Sequence, residues 1–433
     1  MHKIIELTEQ KGYGKPERYS EKLEACSDLH NEITVPRGRG NCPCLTYTIK
    51  GDELLYQTSY FIGLDWIVEN KIAAYVKPKM DNDIDQINYI SMLMYALNNI
   101  DNHKHLTDLI HINFERPHIE IEETNDELSL FIIIEYLCLL RNLVQGGLKR
   151  DYYIVDENLN SRIKGKILIG QDVKTNRVKG TPTNTFCRYQ YYGYDNEENR
   201  ILKKAFMFAC KAIERRHMEN DASLSSIINY IRPAFKGVKD AIEISRIRKY
   251  KPNPLYPEYR DCLRLALMLL RRYSYNIKPT YRGGKHIVAT PPYWIDMSKL
   301  FELYVYQKLN ENFPRARLIR YHEHINYQEL DILFNNDNRT KYVIDAKYKP
   351  RYEDGRLSMY DVRQVCGYAR MSEVYKKLEF NRDQIIPALI IYPSMQGNDL
   401  IPETLEQKIE PDNRYINVYK LGIKLPTIKI GDN

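Results

Sequence analysis

The chain has 433 residues, enough for two or three domains, and 43% of them are hydrophobic, enough for globular cores. No run is long and uncharged enough to span a bilayer (the most apolar, 128–140, contains Ser129 and Glu135), and the start, Met-His-Lys-Ile-Ile-Glu-Leu, is no signal peptide. The net charge of +7 is modest and the eight cysteines are scattered, which argues for reduced thiols in the cytoplasm and against a disulfide framework.

Residues 1 to about 80 read as short strands and loops. Apolar runs at 45–49, 54–58, 60–64 and 72–76 are separated by polar breaks such as Gly51-Asp52. Val35-Pro36-Arg37-Gly38-Arg39-Gly40 reads as a flexible basic loop, and its glycine spacing matches no phosphate-binding loop. Helical spacing appears first over 90–97. His103 and His105 have no acidic or cysteine partner at ligand spacing, so no metal site is expected there. Thr124, Asn125, Asp126 and Glu127 form a capping box that opens a helix over 128–145, and Gly146-Gly147 stops it. Residues 162–168 read as a strand. A loop rich in Thr, Asn and Pro then leads to a helix starting at 195–199, with Ile201, Leu202, Ala205, Phe206 and Ala209 as its apolar stripe.

From Arg246 to Lys285 there are eleven Lys and Arg against Glu258 and Asp261 alone, partly on a helix over 259–273. A basic block this dense is the expected footprint of a phosphate backbone, and a solvated helix face is its bland alternative. Arg271, Arg272, Arg282 and Lys285 are the DNA-contact candidates within it. Residues 279–292 read as a linker. A helix over 297–309 follows, with Leu300, Phe301, Tyr304, Val305 and Leu309 at helical spacing and Glu302 between them. His322-Glu323-His324 precedes Asp331 on an expected strand; it could line the cleft, and an exposed alternating strand is the favoured reading.

The chemistry concentrates between Glu329 and Lys349. Two β-rich runs flank the polar turn 335–338, which predicts a hairpin. Asp345 and Lys347 share a face of the second strand, and an antiparallel partner can bring Asp331 to that face. Two carboxylates and a lysine then converge. Asp331 and Asp345 offer hard oxygen ligands for Mg²⁺, and Lys347 can position a water or stabilise developing negative charge. The bland alternative is a pair of edge-strand carboxylates neutralised by nearby lysines. After the hairpin, a helix is predicted over 361–375 with Gln364 and Tyr368 on one face. A buried strand over 388–392 is closed by Pro393.

Asp331 followed by Asp345-Ala346-Lys347 resembles the core of the PD-(D/E)XK nuclease superfamily, whose order of helix, hairpin, helix and strand this segment repeats. Across most of its length the chain also resembles McrC, the nuclease subunit of McrBC-type modification-dependent restriction systems. That resemblance rests on Ala73-Ala-Tyr-Val-Lys-Pro-Lys79, Met92-Leu-Met-Tyr95, Gly147-Leu-Lys-Arg-Asp-Tyr152, Ile163-Lys-Gly165-Lys, Asp195 to Lys203 and Asp296-Met-Ser-Lys-Leu-Phe-Glu302. It implies an α+β N-terminal part, a β-rich docking domain plus helices, followed by an α/β PD-(D/E)XK restriction-endonuclease-like domain. The expected divisions are 1–125 for docking, 126–290 as a helical and basic connecting region, and 291–433 for the nuclease. It implies Asp331, Asp345, Lys347, Glu302 and Gln364 as catalytic residues and Asp331, Asp345 and Ala346 as the metal site. The implied cofactor is Mg²⁺, with GTP bound by the partner. The implied partners are an McrB-like AAA+ GTPase ring and modified double-stranded DNA, with no membrane. A stand-alone repair nuclease and a non-catalytic DNA-binding adaptor remain as alternatives.

Overall fold

The computed structural model describes residues 2–12, 14–23, 27–37, 40–80, 85–97, 102, 109–113, 115–122, 127–215, 218, 222–239, 257–275, 280–282, 285–336, 340–353, 355–395, 397–398 and 409–429. The chain is mixed α/β and divides into two units, 1–126 with 287–433, and 127–286. The first and third of the three expected segments thus share one unit, and the second, less 126 and 287–290, is the other. Among the described residues no helix is long and apolar enough to cross a membrane.

In the first unit, the apolar runs of the N-terminal part pair into two sheets. Glu17–Arg18, Glu53–Thr58, Gly40–Lys50 and Leu29–Arg37 form one, in that order. Lys3–Thr8, Ile72–Lys77, Phe61–Val68, Tyr293–Asp296 and Ile110–Ile112 form the other. Their inward side chains, among them Leu45, Tyr47, Ile49, Ile72, Val76 and Trp294, make one core. The expected loop 35–40 is instead the end of a hairpin: Arg37 pairs with Gly40, and Gly38 and Arg39 lie outside the described residues. The expected linker 279–292 is also β. It contains the strand Lys285–Thr290, whose Ala289 and Thr290 pair with Glu120 and Ile119. The strand Tyr293–Asp296 follows, and pairs with Phe61–Val68 so closely that a Cβ at Gly63 would stand 2.1 Å from the Tyr293 carbonyl oxygen. Only glycine fits there.

That strand runs straight into the helix Met297–Asn312. Asp296 caps it, its Oδ1 accepting from the N–H groups of Ser298 (3.0 Å) and Lys299 (3.1 Å). The helix therefore starts from the N-terminal sheet and leads into a six-stranded sheet. The strand order is Leu318–Ile325, Gln328–Asn336, Thr340–Ala346, Ala388–Ser394, Val418–Lys424, Glu410–Pro411. The predicted hairpin is its centre, paired from Ile332↔Ile344 to Asn336↔Thr340, with 337–339 of its turn outside the described residues. Ala388–Ser394 runs parallel beside it and is buried throughout. Pro393 does not close that strand. Pairing with the hairpin ends at Ala346↔Ile391, while pairing with Val418–Lys424 continues through Pro393↔Ile423. A proline is tolerated where one side of a strand no longer needs its N–H. The single helix expected over 361–375 is two, Met359–Tyr368 and Ser372–Leu378, with Met371 extended between them. The break lets Val362, Val365, Val374 and Leu378 all reach the core under the sheet.

The second unit holds the helices Glu127–Gly146, Glu197–Arg215, Ala222–Ile231 and Pro257–Tyr275, and a three-stranded antiparallel sheet. Gly147, at φ +93°, ends the first helix. Of the expected capping box, Thr124 to Asp126 lie outside the described residues. The sheet corrects the sequence reading: its long strands are Asp151–Asn160 and Asn184–Gly193, the latter expected as loop, and only Lys166–Ile167 of 162–168 is strand. Two pieces that carried the family resemblance meet here. Asn199 Nδ2 donates to the carbonyls of Lys149 (2.9 Å) and Tyr194 (2.8 Å), Lys149 Nζ reaches Glu198 Oε2 at 3.0 Å, and Arg200 grips Asp195 through two nitrogens. These motifs are structural, tying the sheet to the helices.

Glu135, on the first helix of this unit, has its carboxyl pushed up to about 7, by burial first, with Asp261 adding to this and Arg264 opposing it. A carboxyl that binds its proton more tightly when folded stabilises the fold below the unfolded value, and loses that contribution as pH rises through the folded one. Glu135→Gln should therefore flatten the fall in stability between pH 5 and 8, and at pH 8 should gain roughly 2–3 kcal/mol. Thermal melts of both proteins across that range check this; parallel curves would show that Glu135 is charged throughout.

Candidate active site

The hairpin register, continued one step past Ile332↔Ile344, sets Asp331 opposite Asp345. The N–H of Ala346 donates to Asp331 Oδ2 at 2.9 Å, which fixes that carboxylate against the neighbouring strand. Lys347 stands two residues beyond Asp345 and its Nζ lies 2.9 Å from Asp345 Oδ1. The Lys347 N–H in turn donates to the Ile391 carbonyl at 2.8 Å, so the adjacent parallel strand holds the backbone that carries it. The two aspartates and the lysine expected to converge do so.

Asp345 is fully buried; its Oδ1 faces the Lys347 ammonium at 2.9 Å, while its Oδ2 accepts no well-aligned hydrogen bond among the described residues. Burial raises the Asp345 carboxyl above the ordinary carboxylate range, and Lys347 pulls the other way. Asp331 is pushed well above that range, by burial first and then by the charges of Asp345 and Glu302. For Lys347, burial pulls the ammonium down, but Asp345 and Asp331 outweigh it and hold it above the ordinary lysine range. Two crowded carboxylates with under-used oxygens fit a small divalent cation, which would replace their mutual repulsion by attraction. Among the described residues no group of three or more His, Cys, Asp or Glu forms a ready-made metal cage. Mg²⁺ does not demand one, since it is held by one or two carboxylates and keeps several waters.

Glu302 faces this cluster from the Met297–Asn312 helix, close enough for its charge to act on both Asp331 and Lys347. Gln364 and Tyr368 lie on the far helix. The Gln364 amide donates to the Tyr368 hydroxyl at 2.8 Å, and Tyr368 feels the charges of Asp345, Asp331 and Lys347. The side chains of Arg271, Arg272, Arg282 and Lys285 lie outside the described residues, as do His103 and His105.

Three further groups stand near the centre, and of these the sequence reading weighs only His322 as lining the cleft. Asp361 accepts from Lys349 Nζ at 2.9 and 2.7 Å and from the Tyr352 hydroxyl. Lys79, pulled down to about 8 by burial, donates to the carbonyl of Tyr348 at 2.6 Å, so the N-terminal part grips the residue after Lys347. His322 contacts Glu302 Oε2 through Nε2 at 3.1 Å, and is only one-fifth exposed rather than open on a strand.

A profile described as McrBC 5-methylcytosine restriction system component matches residues 67–393. Comparison with curated proteins finds no match. Among solved structures, the chain is similar to one in a refined half-complex from the tetradecameric assembly of Thermococcus gammatolerans McrB AAA+ hexamers with bound McrC. Identity is 16%, over 87% of this chain and 80% of that one, with a TM-score of 0.34. A second is the Thermococcus gammatolerans McrBC complex, at 15% identity over 61% of this chain and 70% of that one, with a TM-score of 0.28.

Proposed function

The chain belongs to the McrBC 5-methylcytosine restriction system component family, and on that premise we propose that it is the system's nuclease subunit. In this reading it is a Mg²⁺-dependent endonuclease of the PD-(D/E)XK type that cuts modified DNA when an AAA+ GTPase ring activates it. The observation that carries the reading is the buried Asp345 carboxylate, with Oδ1 against Lys347 and Oδ2 under-used, beside Asp331 on the central hairpin. The helix before that hairpin, the helices after it and the parallel strand beside it support the PD-(D/E)XK assignment.

Asp331, Asp345 and the carbonyl of Ala346 are the groups that would hold the metal, which when bound acidifies a water and offsets charge on the attacked phosphate. The protein's own contribution is placement. The buried sheet fixes the Asp345 carboxylate, and the Ala346 N–H fixes Asp331. Lys347, with its Nζ 2.9 Å from Asp345 Oδ1, is the group that would position the attacking water or stabilise charge developing on the phosphate. Tyr368, hydrogen-bonded to Gln364, is close enough to feel the charges of Asp345, Asp331 and Lys347. A carboxylate pair used this way argues against an adaptor that only binds DNA.

The chain has no G-x-x-x-x-G-K-[ST] loop, so nucleotide chemistry belongs to a partner. Exposed apolar side chains at Tyr152, Ile154, Ile163, Ile169, Val178 and Tyr192 support a protein-contact face in the second unit, in addition to the docking expected of residues 1–125. The basic block from Arg246 to Lys285 is assigned to the DNA backbone. The test of metal dependence is cleavage of a methylated duplex by the chain with its GTPase and GTP, in Mg²⁺ and then in excess EDTA. Cutting is expected only with Mg²⁺; EDTA-resistant cutting would refute the metal site.

A further inference from the structure

The strand Leu318–Ile325 pairs with Gln328–Asn336 through Tyr321↔Ile332 and Glu323↔Leu330. Between those pairs stand His322 and Asp331, opposite one another. Continued across the hairpin, the register sets His322, Asp331 and Asp345 at one level of three adjacent strands. The ladder is interrupted at His322, whose φ is +50°. That conformation is uncommon for a residue with a Cβ, and such strain tends to persist where surrounding contacts over-determine it.

The contacts here are specific. His322 Nε2 lies 3.1 Å from Glu302 Oε2, and Nδ1 lies 2.9 Å from Glu329 Oε1. The ring also stacks on Tyr321, at 3.8 Å between centroids, and Tyr321 stacks on Tyr306 of the same helix as Glu302. An imidazole donates through one nitrogen when neutral and through both when protonated, so it can serve one of these carboxylates or both. The side chains of Glu302 and His322 are 12% and 20% exposed, so little water competes for the contact between them.

We propose that His322 is a positioning residue for the hydrolytic centre: it holds the Glu302 carboxylate beside Asp331 and Lys347, and so sets the affinity of the site for its divalent cation. The inference rests on the nuclease reading and deepens it. Groups that orient a metal-site carboxylate typically cost 10- to 100-fold in metal affinity or activity when lost. The strain at residue 322 is then the means by which the ring turns from the sheet toward the helix.

The test uses the full chain in its complex with the GTPase. His322→Phe keeps the ring stacked on Tyr321 and removes both donors, while His322→Gln keeps a donor that can reach Glu302. Two quantities are read: the Mg²⁺ concentration for half-maximal cutting of methylated DNA, and Mg²⁺ binding to the DNA-free complex by calorimetry. His322→Phe should weaken both roughly 10- to 100-fold with little change in KM for DNA, and His322→Gln should recover most of the loss. In the Glu302→Gln background, His322→Phe should add little, because the group it positions is already gone. Equal Mg²⁺ dependence in wild type and His322→Phe would overturn the inference. So would full additivity with Glu302→Gln. A wild-type complex that cuts nothing in Mg²⁺ would instead overturn the nuclease reading itself.

Discussion

Asp345→Asn should abolish DNA cleavage, by on the order of 10³-fold or more, which corresponds to a barrier higher by about 4 kcal/mol. The substitution keeps the volume of a fully buried side chain and removes one charge. Metal affinity is lost with that charge, because an amide oxygen is a far poorer ligand for Mg²⁺ than a carboxylate. The fold should not suffer. Burial already disfavours the charged form of Asp345, so a neutral isostere relieves a cost that offsets the counter-charge lost to Lys347, whose partly exposed ammonium still has Asp331 nearby. The expected result is therefore split: an apparent melting temperature unchanged or raised, partner binding retained, and no cutting. Normal cutting by Asp345→Asn would show that the site is assigned wrongly. Loss of cutting together with unfolding would point to a structural role instead.

Lys347→Ala should also abolish cutting, but with the opposite effect on stability. It removes the cation 2.9 Å from a buried carboxylate and leaves Asp345 without its counter-charge. Breaking a buried pair from one side commonly costs 3–5 kcal/mol; here about 3 kcal/mol or less is expected, because Asp345 can take up a proton. Adding Mg²⁺ should restore part of the lost stability, since the carboxylates remain, yet no activity. Chemical denaturation with and without Mg²⁺, beside a cleavage assay, separates the two effects. A Lys347→Ala protein as stable as wild type in the absence of metal would contradict the electrostatic description of the site.

Much of this was legible along the chain, for a physical reason. Val343, Ile344 and the aliphatic run at 388–391 lie in strands buried on both faces, and such strands announce themselves as apolar runs. The placement of Asp345 and Lys347 on one face follows from strand alternation alone. The strand Asn184–Gly193 was hidden because its outward face carries tyrosines and polar residues with few core contacts, so its composition looked like loop. The role of His322 was hidden more deeply, although a signal existed. Asn326 and Tyr327 both have positive φ and make a two-residue turn. Counting four residues back and forward from that turn puts His322 across from Asp331. The contact with Glu302 needed the helix as well, and no spacing in the sequence gives the approach of a helix to a strand. The break at 369–371 had only a weak signal, Gly367 just before it, inside a run that otherwise kept helical spacing.

The most direct measurement of the central claim mixes the purified chain with the AAA+ GTPase proposed as its partner and follows GTP hydrolysis and cleavage of methylated DNA together. The account predicts that the chain alone cuts poorly, that both rates rise when the two proteins meet, and that cutting stops when GTP is withheld. Full-rate cutting by the isolated chain, indifferent to partner and to GTP, would contradict it.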